Sequence, residues 1–169
     1  MEYQRIIGID PGYAIVGWGV VEYGGNNFKT LGYGAIRTQA GLPFDLRLES
    51  IYDELSAVIE KYSPAEMGLE KLYFAKNTTT AIDVAQARGV ITLCARRHGL
   101  FLGEYTPLQV KQAVVGYGKA EKNQVMHMTQ MLLGLSETPK PDDTADALAI
   151  AVCHAHSSFS RFRAAAIRR

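Results

Sequence analysis

The chain has 169 residues, of which 47% are hydrophobic and 21% are charged, and its formal net charge is +1 at pH 7. This composition is typical of a soluble globular protein with a single domain that buries a core. No stretch approaches about 18 uncharged apolar residues, and the N-terminus lacks a signal-peptide pattern, so we expect neither a membrane span nor secretion. The small net charge neither requires nor excludes a nucleic-acid partner.

The first 38 residues are predicted to form an antiparallel meander of three strands. Short apolar runs alternate with turns that are rich in glycine, proline and asparagine. The predicted strands are residues 4–10, 14–23 and 28–38. The turn at 24–27, with the sequence GGNN, favours an antiparallel hairpin.

From Pro43 onward the hydrophobic period changes to three and four residues, which is typical of amphipathic helices that alternate with short strands. The predicted helices are residues 43–62, 78 or 79 to about 99, 107–115, 121–133 and 143–156, and the predicted strands are 65–72 and 100–105. Thr106 and Pro107 supply a favourable helix start. This order predicts an α/β layer fold with a mixed sheet. Cys94 and Cys153 fall in helical patterns and are expected to be reduced thiols of the cytoplasm.

Two acidic residues belong to predicted strands. Asp10 closes the first strand, at the edge where the ends of strands form crevices, although an aspartate before Pro-Gly is also a common turn residue. Glu70 lies inside the apolar segment MGLEKL, where a buried carboxylate is unfavourable; a solvated edge strand is the alternative. Strand alternation places Asp10 on the face of Gly8 and Glu70 on the face of Gly68. We expect the missing side chains to leave room for a ligand.

Three aspartates crowd the start of the alanine-rich segment PKPDDTADALAIA. Helix capping explains Asp142 and Asp143, because acids in a first turn satisfy free N–H groups and complement the helix dipole. Capping explains Asp146 poorly, because this residue lies among apolar neighbours and shares a face with Asp143. Two carboxylates on one face repel unless a positive group lies between them, so a cation site is the competing interpretation.

The four acids Asp10, Glu70, Asp143 and Asp146 converge if the first and fourth strands are neighbours and the last helix packs across them. Carboxylates without nearby histidine or cysteine fit Mg²⁺ or Mn²⁺ better than zinc. Four of them are enough for two ions roughly 4 Å apart, the arrangement used for in-line attack on phosphodiesters. The sequence offers no competing Ser-His-Asp or Cys-His arrangement and no zinc-ligand spacing of its four histidines.

Six segments, in order from about residue 5 to 155, resemble the successive motifs of the RuvC family of Holliday junction resolvases. They read IIGIDPG, GWGVVE, LEKLYFAKN, QARGV, VKQAVVGYGKAEKNQV and PDDTADALAIA. The resemblance implies a ribonuclease H-like fold with a mixed five-stranded sheet flanked by helices. It also implies a magnesium-dependent endonuclease, with two ions per site and manganese as a substitute. Such an enzyme resolves four-way DNA junctions by paired symmetric nicks during recombination and repair.

The resemblance also assigns roles to individual residues. It implies that Asp10, Glu70, Asp143 and Asp146 are the metal-binding catalytic acids, with Lys111 and Lys122 as catalytic lysines that contact the cleaved strand. The DNA-binding residues that it implies are Tyr73, Lys76, Asn77, Lys111, Lys119 and Lys122. Tyr73 occupies the family's aromatic position and is expected to stack on an exposed base. Solvated surface lysines, and a Tyr73 that closes the core, are the alternatives.

The family resemblance further implies a homodimer, since two matched nicks suit two identical sites related by a two-fold axis. The dimer element would be the helix at 79–98, through Ala81, Ile82, Ala85, Gly89 and Leu93, unless this stripe packs in the core. The implied partners are four-way junction DNA and the branch-migration helicase complex, with no membrane. We expect a bacterial cytoplasmic protein associated with the nucleoid. Residues 1–157 would form the nuclease domain, and residues 158–169 a basic flexible tail that adds phosphate affinity.

Three other functions compete with that of a junction-resolving endonuclease. One is a related ribonuclease H-like nuclease that processes structured RNA. Another is a junction-binding module without catalysis, which the four intact acids disfavour. The third is an actin-like ATPase, suggested only by GIDPG; 169 residues leave no room for the two lobes of that fold.

Overall fold

The structure is a computed structural model that describes residues 3–72 and 78–167, which form five strands and five helices. The strands are β1 (Gln4–Asp10), β2 (Ile15–Gly24), β3 (Asn27–Arg37), β4 (Glu66–Glu70) and β5 (Phe101–Tyr105). The helices are α1 (Phe44–Tyr62), α2 (Thr78–Arg97), α3 (Pro107–Val115), α4 (Lys122–Leu132) and α5 (Asp142–Ile167). Within these residues, no helix is long and apolar enough to cross a bilayer.

The five strands form one mixed sheet in the order β3-β2-β1-β4-β5. The first three strands pair antiparallel as a meander, and β4 and β5 join β1 in parallel. The predicted five-stranded mixed sheet is therefore confirmed. The first and fourth strands are neighbours, as the convergence of the acids requires.

Helices cover both faces of the sheet, so the central strands are buried on both sides. Ile6 of β1 belongs to the core under α3, α4 and α5, whereas Ile7 and Ile9 belong to the core under α1 and α2. This alternation follows from the two-residue period of a strand, and it explains why β1 reads as a continuous apolar run. The same alternation places the side chain of Asp10, an even-numbered residue like Ile6, on the face of the sheet that α5 covers.

Four glycines in register form a groove across the sheet, and α5 lies in it. They are Gly19, Gly8, Gly68 and Gly103, on four neighbouring strands. A Cβ at Gly8 would lie 2.0 Å from the carbonyl oxygen of Ala147, and one at Gly68 would lie 3.0 Å from Cβ of His154. The expectation that Gly8 and Gly68 leave room for a ligand is thus wrong. The groove instead lets the helix backbone approach the strands closely.

A buried polar network holds the middle of α5 against the sheet. His154 is fully buried; its Nδ1 lies 3.1 Å from the hydroxyl of Tyr105, and its Nε2 is hydrogen-bonded to the carboxylate of Glu66. The side-chain amide of Gln4 donates to the other oxygen of Glu66. Residues of three strands thereby fix one helix, because a buried polar group left without a partner would be costly.

The predicted element boundaries agree with the structure except at a few ends. Thr106 caps α3, accepting a hydrogen bond from the backbone N–H of Gln109, as predicted. Strand β4 ends at Glu70 and not at residue 72, and α5 continues to Ile167, well beyond the predicted end near residue 156. This helix enters the segment predicted as a basic tail. That the tail is a separate flexible unit stays a prediction.

Candidate active site

Asp10 and Glu70 lie side by side at one edge of the sheet. Each is the last residue of its strand, and Ile9 pairs with Leu69 in the parallel ladder between β1 and β4, so the next positions bear the two acids. Both side chains are partly buried. They point to the face that α5 covers, as the alternation of the strands requires.

The first turns of α5 bring two more acids to this edge. Gly17 pairs with Asp10 across β1 and β2, and a Cβ at Gly17 would lie 2.0 Å from the carbonyl oxygen of Asp143. Asp146 follows one turn later. Glu70, Asp146 and Asp143 all raise the pKa of Asp10 through their charges, so the four acids named from the sequence lie within electrostatic reach of one another.

The cluster concentrates negative charge in a partly desolvated place. Burial is the largest cause that raises the pKa of Asp10 to about 8, followed by the charges of Glu70, Asp146 and Asp143. Burial also raises the pKa of Glu70 and of Asp146, the former with a further contribution from the Asp146 charge. A binding site with this electrostatic character favours a cation, because a cation stabilises the ionised form of each acid.

Lys122 supplies the positive charge next to the helix acids. Its Nζ lies 3.1 Å from Oδ2 of Asp146 and 3.4 Å from Oδ2 of Asp142. Lys140 contacts the other oxygen of Asp142 at 3.5 Å. The crowding of acids in the sequence required a positive group near Asp146, and in the structure a lysine of another helix fills that place.

The donor chemistry of the cluster fits a hard divalent cation, because the four candidate ligands are all carboxylates. As the side chains stand in the described part of the chain, no group of three or more Asp, Glu, His or Cys residues has the geometry to hold a metal ion. Repulsion between ionised acids opposes a closer arrangement of the carboxylates, and Lys122 contacts Oδ2 of Asp146.

An open cavity of about 190 Å³ adjoins the acids. Its polar wall consists of Glu70, Asp146, Lys111 and Lys122. Its apolar wall comes from α3, α4 and α5; the residues are Pro107, Val110, Val125, Ala149 and Ile150. Two of the predicted lysines thus face two of the predicted acids. The cavity can admit a phosphate group between negative and positive side chains.

Of the other predicted DNA-binding residues, Lys119 lies in the described part of the chain. Lys119 is exposed in the loop between α3 and α4 and does not line the cavity. Tyr73, Lys76 and Asn77 lie outside the described residues.

A family model described as crossover junction endodeoxyribonuclease RuvC matches residues 6–154. The chain belongs to the RuvC family. The RuvC of Brevibacillus brevis is 58% identical over 152 residues, which are 90% of this chain and 92% of the relative. That of Alkaliphilus metalliredigens is 57% identical over 152 residues, with 90% and 93% covered.

The solved structure of T. thermophilus RuvC in complex with Holliday junction substrate is similar to this chain over nearly its whole length. It superposes with a TM-score of 0.87 at 34% sequence identity, covering 92% of this chain and 94% of that one. The predicted ribonuclease H-like fold is thereby confirmed.

A residue behind the acids of this RuvC-family site was not predicted from the sequence. Arg88 of α2 donates from Nε to the carbonyl oxygen of Glu70 at 3.3 Å, and its other end pairs with the carboxylate of Glu104. The arginine thus anchors the end of β4 that presents Glu70. In the sequence, QARGV is identified only as part of the family pattern. A charged residue within an apolar helical run is nevertheless a signal that points to a specific role for Arg88.

The structure decides between the two interpretations of the stripe on α2. Of the five residues of the stripe, four are exposed and Ala81 is half-buried, whereas Ala87 and Ile91 are buried against α1 and the sheet; the exposed four are Ile82, Ala85, Gly89 and Leu93. The stripe is therefore a surface of this RuvC-family chain and not core packing. We call the exposed set of Ile82, Ala85, Gly89 and Leu93 the α2 face.

Proposed function

We propose that this protein is a magnesium-dependent endonuclease that resolves four-way DNA junctions by paired symmetric nicks during recombination and repair. The observation that carries the proposal is the cluster of Asp10, Glu70, Asp143 and Asp146 beside Lys111 and Lys122 at one sheet edge. Membership of a family of crossover junction endodeoxyribonucleases supports the same reaction.

The four acids would hold the metal. When bound, two Mg²⁺ ions would lower the pKa of the attacking water and stabilise charge on the leaving oxygen, and Mn²⁺ would substitute. The burial that raises the pKa of Asp10 keeps the acids away from bulk water, which strengthens their attraction for a cation. Arg88 holds the end of β4 and so orients Glu70.

The lysines would bind the cleaved strand. Lys111 and Lys122 line the same cavity as Glu70 and Asp146, and their charges would attract a phosphate that the acids alone would repel. Lys119, exposed nearby, would add a backbone contact. Tyr73, Lys76 and Asn77 are proposed as base and backbone contacts on the family resemblance alone.

We propose that two copies act together through the α2 face. A two-fold dimer presents two equivalent sites to a junction, which gives matched nicks. The branch-migration helicase complex is the proposed partner in the bacterial cytoplasm, at the nucleoid.

Incubation of the protein with a synthetic mobile four-way DNA junction, followed by mapping of both nicks, tests the proposed function. We expect symmetric nicks with Mg²⁺, none with EDTA, and binding with little cutting in Ca²⁺. Robust cleavage in EDTA would contradict the metal mechanism. Preferential cutting of structured RNA would favour the RNA-processing nuclease. Binding without cutting under all conditions would favour the junction-binding module without catalysis.

A further inference from the structure

The ammonium group of Lys122 is shared between two aspartates of α5. Its Nζ lies 3.1 Å from Oδ2 of Asp146 and 3.4 Å from Oδ2 of Asp142. The two acids are four residues apart and so lie on the same face of the helix, one turn from each other. The Asp142 side chain is the more exposed, at 48% against 35% for Asp146. One lysine thus joins a carboxylate of the acidic cluster to a carboxylate at its outer edge.

Asp146 cannot hold Lys122 and a divalent cation equally well. A cation bound by the carboxylate of Asp146 would stand close to Nζ, and charges of the same sign repel strongly at such a distance. Cation binding therefore requires the ammonium group to move away from Asp146. Asp142 already contacts the same nitrogen, so a small rotation of the lysine side chain is enough to exchange one ion pair for the other.

The surroundings of Asp142 suit this exchange. Its Oδ1 faces Lys140 at 3.5 Å, which leaves Oδ2 to Lys122. Lys122 is the first residue of α4, and its side chain is exposed and can reorient without disturbing the core. From the sequence, Asp142 is expected only to cap its own helix, a role that does not involve a lysine from another helix.

We propose that Asp142 is a positioning residue that receives the Lys122 ammonium group when Asp146 binds a divalent cation. This inference rests on the proposed metal-dependent function. Asp142 lowers the free-energy cost of displacing the lysine and keeps its charge next to the acidic cluster. Without Asp142, the lysine would either remain on Asp146 and compete with the cation or lose its ion pair altogether.

A double-mutant cycle on cation affinity tests the proposal. Mn²⁺ alone, without DNA, is titrated by calorimetry into the parent, D142N, K122Q and the double variant. The loss of Mn²⁺ affinity on Asp142→Asn is expected to be about twofold to fivefold larger with Lys122 present than in the K122Q background, which corresponds to one exposed ion pair. An equal loss in both backgrounds would show that Asp142 acts only as a distant charge, and it would overturn the proposal.

Three controls keep the outcome interpretable. D146N should lose most Mn²⁺ affinity; if it binds as the parent does, the proposed metal site itself fails, a result distinct from an absent coupling. K140Q removes the other lysine on Asp142, and the effect of Asp142→Asn should persist in that background. Asp142→Ser keeps a residue favourable at a helix start and repeats the measurement, so a folding defect of D142N cannot imitate the expected result.

Discussion

Asp10 interacts electrostatically with all three other acids of the site. Burial and three neighbouring acids raise its pKa to about 8, against an ordinary value of 3.8, although Lys122 acts in the opposite direction. The folded protein therefore binds a proton at Asp10 over a pH range in which the unfolded chain has lost it. Stability gained from this proton is complete below about pH 4 and is lost as the pH rises through about 8.

The direction of this pH dependence can be tested with the metal removed. In EDTA, the free energy of unfolding of the parent should fall as the pH rises from 5 to 7, with a contribution from Asp10 approaching about 1.4 kcal/mol per pH unit. Asp10→Asn should flatten the dependence, because asparagine does not titrate. Urea unfolding at several pH values measures both slopes. Identical slopes in parent and variant would mean that Asp10 titrates normally.

Asp146→Asn separates a metal ligand from a helix cap. Burial raises the pKa of Asp146 despite the opposing effect of Lys122, so the fold disfavours the ionised carboxylate and gains from a neutral isostere. We expect the variant in EDTA at neutral pH to melt no lower than the parent and to gain less from Mg²⁺. Cleavage should fall by orders of magnitude while junction binding persists. A cap would behave in the opposite way, with a lower melting temperature in EDTA, an unchanged Mg²⁺ shift and normal cleavage.

At the residue scale, the sequence was sufficient to name the four acids that cluster, but not the lysine and the arginine that contact them. Glu70 and Asp146 were conspicuous because charge is unusual within apolar segments. The contacts of Lys122 with Asp142 and of Arg88 with Glu70 join residues from different elements, at spacings that no local period encodes. Such pairs become visible only when the helices have been placed on the sheet.

At the element scale, the glycine groove determines how deeply α5 is seated and therefore where its acids lie. At Gly8 an added Cβ would meet backbone atoms at 2.0 and 2.5 Å, whereas at Gly68 the nearest atom would lie at 3.0 Å. Backbone of a packed helix cannot yield as a flexible side chain does. Among the four groove glycines, Gly8 is thus the one at which a substitution most affects the depth of the helix.

Alanine substitutions in the groove should follow this order. Gly8→Ala should destabilise the fold by about 3 kcal/mol or more and displace α5, with a matching loss of cleavage. Gly68→Ala, the matched control in the same row, should be milder, at about 1–2 kcal/mol, because its nearest neighbours lie at 3.0 and 3.2 Å and need to give by only a few tenths of an ångström. Urea denaturation and a nicking assay measure both effects. Equal destabilisation would mean that the groove does not limit the approach of the helix.

Most elements could be predicted from hydrophobic period and turn residues, and the exceptions have a physical reason. The end of α5 was predicted too early because the segment changes from apolar to polar and basic near Ser157. Residues 142–167 contain neither glycine nor proline, so nothing in the backbone chemistry stops the helix there. The groove was misread as space for a ligand, because strand alternation gives the face of a glycine but not the element that fills it.

At the scale of the whole molecule, the α2 face is the candidate dimer surface. Ile82 is 66% exposed, and Met131 on α4 provides a matched control at 64%. Ile82→Asp should yield a monomer that folds normally, since the residue makes little contact with the core, and paired nicks should give way to single ones. Met131→Asp should leave the dimer intact. Light scattering with chromatography reports the mass, and a dimeric Ile82→Asp protein would place the interface elsewhere.

The charge distribution of the molecule, and not its total, must account for DNA affinity. A formal net charge of +1 gives little general attraction to a polyanion, so the proposed DNA binding would depend on the lysines near the cavity. Each phosphate contact releases counterions and steepens the salt dependence of the association constant by about one unit in a double-logarithmic plot.

Lys111→Ala and Lys119→Ala, measured with Ca²⁺ to prevent cutting, should each weaken junction binding and flatten this slope by about one. Lys29→Ala, which removes an exposed lysine from the edge strand β3, should leave the slope unchanged. A slope that responds equally to all three substitutions would mean that the whole surface attracts DNA, and the lysines near the cavity would then have no special part in binding.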